Sequence, residues 1–309
     1  MKDRSYSQRL KLLVIIYNMY STQYTVKELN VLFFVFILIV SSLFLPPDAF
    51  KKEVYAQSSP PVTNTTAISD DNSMSGLQSK SVNYYGNSSG YLVYYTSAMN
   101  TTTIQEQKLP AVVMIHEWWG LNDNIKDMAN MLAKEGYVVL AVDLFGEVAT
   151  DPDRAMQLSS SVRNNPEEAI ANMQAAVNYL GSLENVNSSR IASLGWCFGG
   201  GQSLQLALNS EEKPLAATVI YYGNLVTDEQ ALSTIKWPIL GIFGDQDQSI
   251  SVDTVDQFKG ALDIVGITNE IYIYPGVGHA FANPSGDNYA PEETSDAWQK
   301  TLSFLDRYV

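Results

Sequence analysis

Ser193-Leu194-Gly195-Trp196-Cys197-Phe198-Gly199-Gly200-Gly201 is the stretch on which the reading of this chain turns. The apolar segment Arg190–Leu194 leads into it, and Gln202-Ser203-Leu204-Gln205-Leu206-Ala207-Leu208 follows with the composition of a helix. A strand that passes into a helix through a tight turn leaves room only for small residues beside the one at its tip. Here the tip is Cys197, with Gly195 and Gly199 on either side. The start of the following helix lies beneath it, and the positive end of a helix dipole favours a thiolate. A lone cysteine is ordinarily a small buried filler. The glycines on both sides and the strand–turn–helix setting make this one a candidate nucleophile.

The surrounding sequence reads as alternating strands and helices from about residue 81. Tyr91–Tyr95 is an early antiparallel strand, and Ala111-Val112-Val113-Met114-Ile115 is a continuous apolar run, as in a strand covered on both faces. Asn124–Glu135 carries apolar residues at helical spacing and is closed by Gly136. Tyr137–Val142 is the next strand, and Pro166–Leu183 is a long helix with Ala169, Ile170, Met173, Ala176, Val177 and Leu180 on one face. Further strands are expected at Ala216–Tyr221, Ile239–Phe243 and Glu270–Tyr274, helices near 227–235 and 252–265, and a last helix over Glu292–Tyr308. This alternation predicts an α/β fold, with a mostly parallel central sheet flanked by helices. The intervals between strands are short, which predicts no large cap domain.

Composition narrows the function. The chain has 309 residues and a formal net charge of −14. The first 56 residues hold 7 Lys/Arg against 4 Asp/Glu, leaving 12 against 29 in the remainder, a net of −17. So acidic a body argues against partners that are nucleic acids or anionic membranes. The single cysteine excludes an intramolecular disulfide. With only His116 and His279 beside it, a Cys/His zinc site is not expected, and no metal or other cofactor is.

Residues 1–56 are expected to be a signal peptide or an N-terminal membrane anchor. Val31–Leu45 is apolar but short for a span, Lys27 precedes it, and Val54-Tyr55-Ala56 offers a small-residue cleavage site. The globular part is therefore expected outside the cytoplasm, secreted or held by an uncleaved anchor, and touching membrane only through this segment. Residues 57–80, rich in Ser, Thr, Asn, Pro and Asp, are expected to be a flexible linker, and 81–309 the folded domain.

A thiol nucleophile needs a base, and the base needs an orienting acid. In the α/β-hydrolase fold the nucleophile sits on a sharp strand-to-helix elbow, and the acid and the histidine follow it in that order along the chain. His279 lies on the glycine-rich loop Gly276-Val277-Gly278-His279-Ala280-Phe281, after the last strand. The acid should follow the preceding strand, at Gly244-Asp245-Gln246-Asp247-Gln248-Ser249-Ile250. Both aspartates qualify. Asp247 is preferred as the acid, with Asp245 shaping the turn. The oxyanion hole is expected from the Phe198 amide and from the loop His116-Glu117-Trp118-Trp119-Gly120-Leu121-Asn122, with Trp118 as second donor and Trp119 packing in the core. Glu117 falls near the thiol, where a carboxylate disfavours a neighbouring thiolate unless it is used.

Three motifs in order, Gly195-Trp196-Cys197-Phe198-Gly199-Gly200, the 116–122 loop and Gly278-His279-Ala280-Phe281, resemble those of the dienelactone hydrolase (carboxymethylenebutenolidase) family over roughly residues 80–309. The resemblance implies an α/β-hydrolase fold and a Cys-His-Asp triad on Cys197, His279 and Asp247. It also implies that Glu117 contacts the resting thiol and swings away when substrate binds. The family's lactonases bind a substrate carboxylate through arginines, one of them four residues past the histidine. Here that position is Asn283, and Arg154 is a loose counterpart of a second. A neutral or differently charged ester or lactone is therefore expected as the substrate, contacted by Arg154, Phe281 and Asn283. The expected protein is a monomeric, cofactor-free hydrolase. The competing readings are an exported binding or scaffold protein on the same fold and a thioesterase.

Overall fold

A computed structural model of the protein describes residues 76–96 and 108–309. The expected signal segment or anchor and residues 57–75 of the expected linker lie outside the described residues. Eight strands form one sheet: β1 (Gly76–Tyr85), β2 (Ser88–Thr96), β3 (Leu109–Ile115), β4 (Val138–Val142), β5 (Val186–Trp196), β6 (Ala217–Tyr221), β7 (Ile239–Gly244) and β8 (Asn269–Tyr274). They lie in the order β1-β2-β4-β3-β5-β6-β7-β8. The pairs β1·β2 and β2·β4 are antiparallel, and every other pair is parallel.

The central strands are apolar throughout because both faces are covered. On β3, Ala111, Val113 and Ile115 enter one core while Val112 and Met114 enter the other. The helices are α1 (Asp123–Lys134), α2 (Pro152–Asn164), α3 (Pro166–Ser182), α4 (Phe198–Leu208), α5 (Glu229–Leu232), α6 (Val252–Ile264) and α7 (Pro291–Tyr308). Met173 and Leu180 of α3, Leu204 of α4 and Phe258 of α6 fill the first core. Ile125 and Leu132 of α1 with Trp298 and Phe304 of α7 fill the second. Local signals set the helix starts: Asn122 accepts the Ile125 amide at 3.2 Å, and Ser251 accepts the Thr254 amide at 3.2 Å. The architecture is that of an α/β-hydrolase, as the sequence predicts.

Two elements differ from expectation. Residues 76–80, expected in the linker, belong to β1. This strand sits at the sheet edge and buries only Val82, so its sequence reads as polar linker. Helix α2 was not anticipated at all; only Ala155 and Ser159 are buried on it, too few to write a periodic apolar face.

Because β3, β5, β6, β7 and β8 run parallel, the loops leaving their carboxyl ends emerge along one edge of the sheet. Glycines let those loops close on one another. A Cβ on Gly199 would stand 2.3 Å from the Ile115 carbonyl oxygen and 2.5 Å from that of His116, and one on Gly195 2.1 Å from the Gly199 oxygen. The elbow is thus seated directly on the end of β3. Gly199→Ala is expected to lower stability by about 3 kcal/mol, because the obstructing atoms are backbone and cannot rotate away. Gly260→Ala, on α6 with open space around it, is expected to raise stability by about 0.5–1 kcal/mol. Urea denaturation of the two variants checks both signs.

Candidate active site

Cys197 stands between β5 and α4 with φ 54° and ψ −117°, a conformation that costs an L-residue about 1–3 kcal/mol. Its amide donates to the Tyr221 carbonyl at 3.0 Å and its carbonyl accepts the Gly201 amide at 3.2 Å, so the turn is held from both sides. The side chain is half-buried. Its sulfur lies 3.1 Å from His279 Nε2.

His279 follows β8, and its Nδ1 is 2.8 Å from Asp247 Oδ2. Asp247 follows β7. Its Oδ1 accepts the amides of Ser249 at 2.7 Å and Ile250 at 3.0 Å, so the loop itself fixes the carboxylate. Burial opposes ionisation of Asp247, but His279 and the two amides outweigh it and hold the carboxyl below its ordinary range. At His279 burial likewise works against the charged ring. The bonds to Asp247 and Cys197 prevail and raise it to about 10. Sulfur, imidazole and carboxylate therefore form one hydrogen-bonded line. Asp245 plays another part: its Oδ1 accepts the Gly276 amide at 2.7 Å, joining the β7 loop to the β8 loop.

The second histidine is taken up by the scaffold. His116 is fully buried; its Nε2 accepts the Leu144 amide at 3.1 Å, so Nδ1 carries the proton and donates to the Glu117 carbonyl at 2.6 Å. Burial lowers its affinity for a second proton.

Glu117 is 3% exposed and takes a hydrogen bond from Asn283 Nδ2 at 2.5 Å. Burial raises its carboxyl to about 7 against the opposing pull of His279 and Asn283. The contact with the resting thiol implied by family resemblance is not made: the sulfur is engaged by His279 and the carboxyl by Asn283. Asn283 is itself buried, so its side chain holds Glu117 and is not a contact for substrate.

One other expected substrate contact is also corrected. Phe281 is fully buried, its ring packed against Tyr222 and Tyr274 at centroid distances of 5.6 and 5.3 Å. An apolar side chain beside a loop histidine reads equally as wall or as core, and here it is core. Arg154 is exposed on α2 and is tied to Glu147 and Gln157. The expected oxyanion donors sit as follows. Phe198 is the first residue of α4, so its amide has no acceptor within the helix. The Trp118 amide makes no hydrogen bond to another described residue, and its ring meets Trp119 edge-on at 5.0 Å.

The sequence reading missed two residues. Arg163, at the end of α2, places its guanidinium 5.8 Å from the centre of the Phe198 ring. Nothing in its local sequence points there, because α2 itself was missed. Tyr222, just past β6, is fully buried, has φ 37°, and meets the His279 ring edge-on at 5.3 Å. The pair Tyr221-Tyr222 before Gly223 reads as the end of a strand, which hides the second ring's part in the site.

Known proteins resemble this chain over most of its folded region. The family model described as "Dienelactone hydrolase family" matches residues 97–309. A protein of Saccharolobus solfataricus provisionally named a carboxymethylenebutenolidase is 33% identical over 235 residues, covering 64% of this chain and 89% of that protein. One of the same provisional name from Methylorubrum extorquens is 30% identical over 212 residues, covering 64% of this chain and 72% of that protein. The crystal structure of a provisionally named dienelactone hydrolase of Klebsiella pneumoniae superposes with a TM-score of 0.63 at 26% identity, over 75% of this chain and 99% of that one. The elbow, the order of the motifs and the match over most of the folded region together make this chain a member of the dienelactone hydrolase family.

Proposed function

We propose that this member of the family hydrolyses a small carboxylic ester or lactone through Cys197, His279 and Asp247. The observation that carries the reading is the unbroken line from the Cys197 sulfur through both ring nitrogens of His279 to Asp247, at 3.1 and 2.8 Å. The sulfur attacks the substrate carbonyl carbon, forming a C–S bond, while its proton resides on His279 Nε2. The carbonyl electrons move onto oxygen, where the Phe198 and Trp118 amides receive the charge. Collapse of this intermediate breaks the C–O bond, and His279 passes its proton to the departing alkoxide. For a lactone that alkoxide stays attached to the acyl chain. Water then gives its proton to His279 and its oxygen to the acyl carbon, releasing the acid and restoring the thiol. Asp247 fixes the ring orientation and stabilises the imidazolium in both halves.

Glu117 tunes this cycle. Its charge attracts the His279 imidazolium, so ionised Glu117 favours the proton-transfer steps. With Asn283 where the family's lactonases carry an arginine, the carboxyl has a neutral partner and titrates near neutrality.

Turnover of p-nitrophenyl acetate and of small lactones by the purified protein is expected to fall at least about a thousandfold in Cys197→Ala. Equal rates for the two proteins would remove the hydrolase reading. In the native protein kcat/KM is expected to rise with pH through about 7 as Glu117 loses its proton. That limb should vanish in Glu117→Gln. In Asn283→Ala it should move upward, because the lost donor stabilised the carboxylate. A pH–rate series on the three proteins measures each displacement, and an unmoved limb would detach Glu117 from the cycle.

A further inference from the structure

The Tyr222 hydroxyl is the one buried side-chain polar atom among the described residues that makes no hydrogen bond. The Ala282 backbone N–H points toward its oxygen and favours the ionised form, but the hydroxyl hydrogen has no acceptor among the described residues. An orphaned buried hydroxyl is costly, and a non-glycine residue at φ 37° adds strain. Both penalties fall on one residue whose ring touches His279. Paired costs of this kind at a catalytic centre mark a group kept for a state other than the resting one.

The surroundings identify that state. Tyr222 lines a narrow cavity together with Glu117, Asn283, Trp196, Ile125 and Met128, with room for about one water molecule. Glu117 is the one carboxyl facing this space, and it has a single side-chain donor, Asn283. Burying a carboxylate is costly unless it is well hydrogen-bonded, and one neutral donor leaves most of its acceptor sites unmet. The other titratable groups close to Tyr222 are His279, whose ring meets it edge-on and is bonded to Asp247 and Cys197, Cys197 itself, and Tyr221, whose hydroxyl is bonded to Thr301 and the Ala297 carbonyl. The Tyr222 phenol is held well above its ordinary range, first by burial and then by the charges of Glu117 and Cys197, so it stays protonated and keeps a hydrogen to donate.

We propose that Tyr222 is a positioning residue whose hydroxyl donates to the Glu117 carboxylate once that group ionises, completing with Asn283 a two-point cradle. The cradle keeps the negative charge beside the His279 ring and off the Cys197 sulfur, where it would oppose the thiolate. The proposal rests on the hydrolase reading for its effect on rate, but not for its effect on Glu117 itself.

The test is Tyr222→Phe, which removes one oxygen and preserves the ring. Three measurements are made on the full chain. The thermal midpoint at pH 5, where Glu117 is protonated, is expected to be unchanged or higher, because the lost hydroxyl was unsatisfied. The Glu117 titration, followed by carbon NMR of side-chain-labelled glutamate and assigned with Glu117→Gln, is expected to move upward by about one pH unit. The kcat for p-nitrophenyl acetate at pH 7 is expected to fall about fivefold, and Tyr222→Phe is expected to add no further loss in a Glu117→Gln background. A clear drop in midpoint at pH 5 would show that the hydroxyl has a structural partner, and would overturn the proposal. So would an unmoved Glu117 titration, or equal losses in the native and Glu117→Gln backgrounds. A native protein no faster than Cys197→Ala would instead sink the hydrolase reading, and the NMR titration would still decide the role of Tyr222.

Discussion

The strained backbone at Cys197 is the constraint on which the site depends. A residue at φ 54° and ψ −117° relaxes unless its neighbours forbid it. Here the amide is pinned by the Tyr221 carbonyl, and α4 is pressed onto the end of β3 so closely that Gly199 has no room for a Cβ. The same closeness sets the Phe198 amide beside the loop that carries Glu117 and Trp118. The cost of the turn is about 1–3 kcal/mol, small against a sheet covered by apolar cores on both faces. The sheet can therefore hold the sulfur out from the chain, within reach of a histidine 82 residues further along.

Charge is arranged around that sulfur with few groups. His279 receives Asp247 on one nitrogen and Cys197 on the other, while His116 is locked between the Leu144 amide and the Glu117 carbonyl. One imidazole is thus left to titrate at the site. Glu117 is the remaining carboxyl. Its partner is an uncharged amide, so its proton affinity is set mainly by burial, and it lies near neutrality. An arginine in place of Asn283 would lower that affinity strongly by direct pairing. The substitution therefore changes when the carboxyl is charged, and it leaves the side chain at 283 no guanidinium to offer a substrate.

Much of this was legible in the sequence, for identifiable reasons. The two-sided strands β3 to β7 are apolar runs, and the elbow announces itself through glycines that have no other use. Chain order drew Asp247 and His279 toward Cys197, and in the fold the three lie in contact. What could not be read depends on non-local packing. Edge strand β1 buries one apolar side chain and reads as linker, and α2 buries too little to show a period. Phe281 faces inward and Asn283 faces Glu117 because the loop after β8 folds back under itself, where the Asn283 amide bonds to the Ala280 carbonyl. The Tyr222 hydroxyl is notable for a missing partner, which no sequence pattern encodes.

The account stands on a covalent bond between substrate and Cys197, and trapping that bond tests it most directly. The protein is mixed with p-nitrophenyl acetate, quenched in acid during the first turnover, digested and mapped by mass spectrometry, with Cys197→Ala run alongside as the control. An acetyl group on the peptide that contains Cys197, absent from the variant, is the predicted result. Release of p-nitrophenol with that peptide unmodified, or with the acetyl group on another residue, would contradict it.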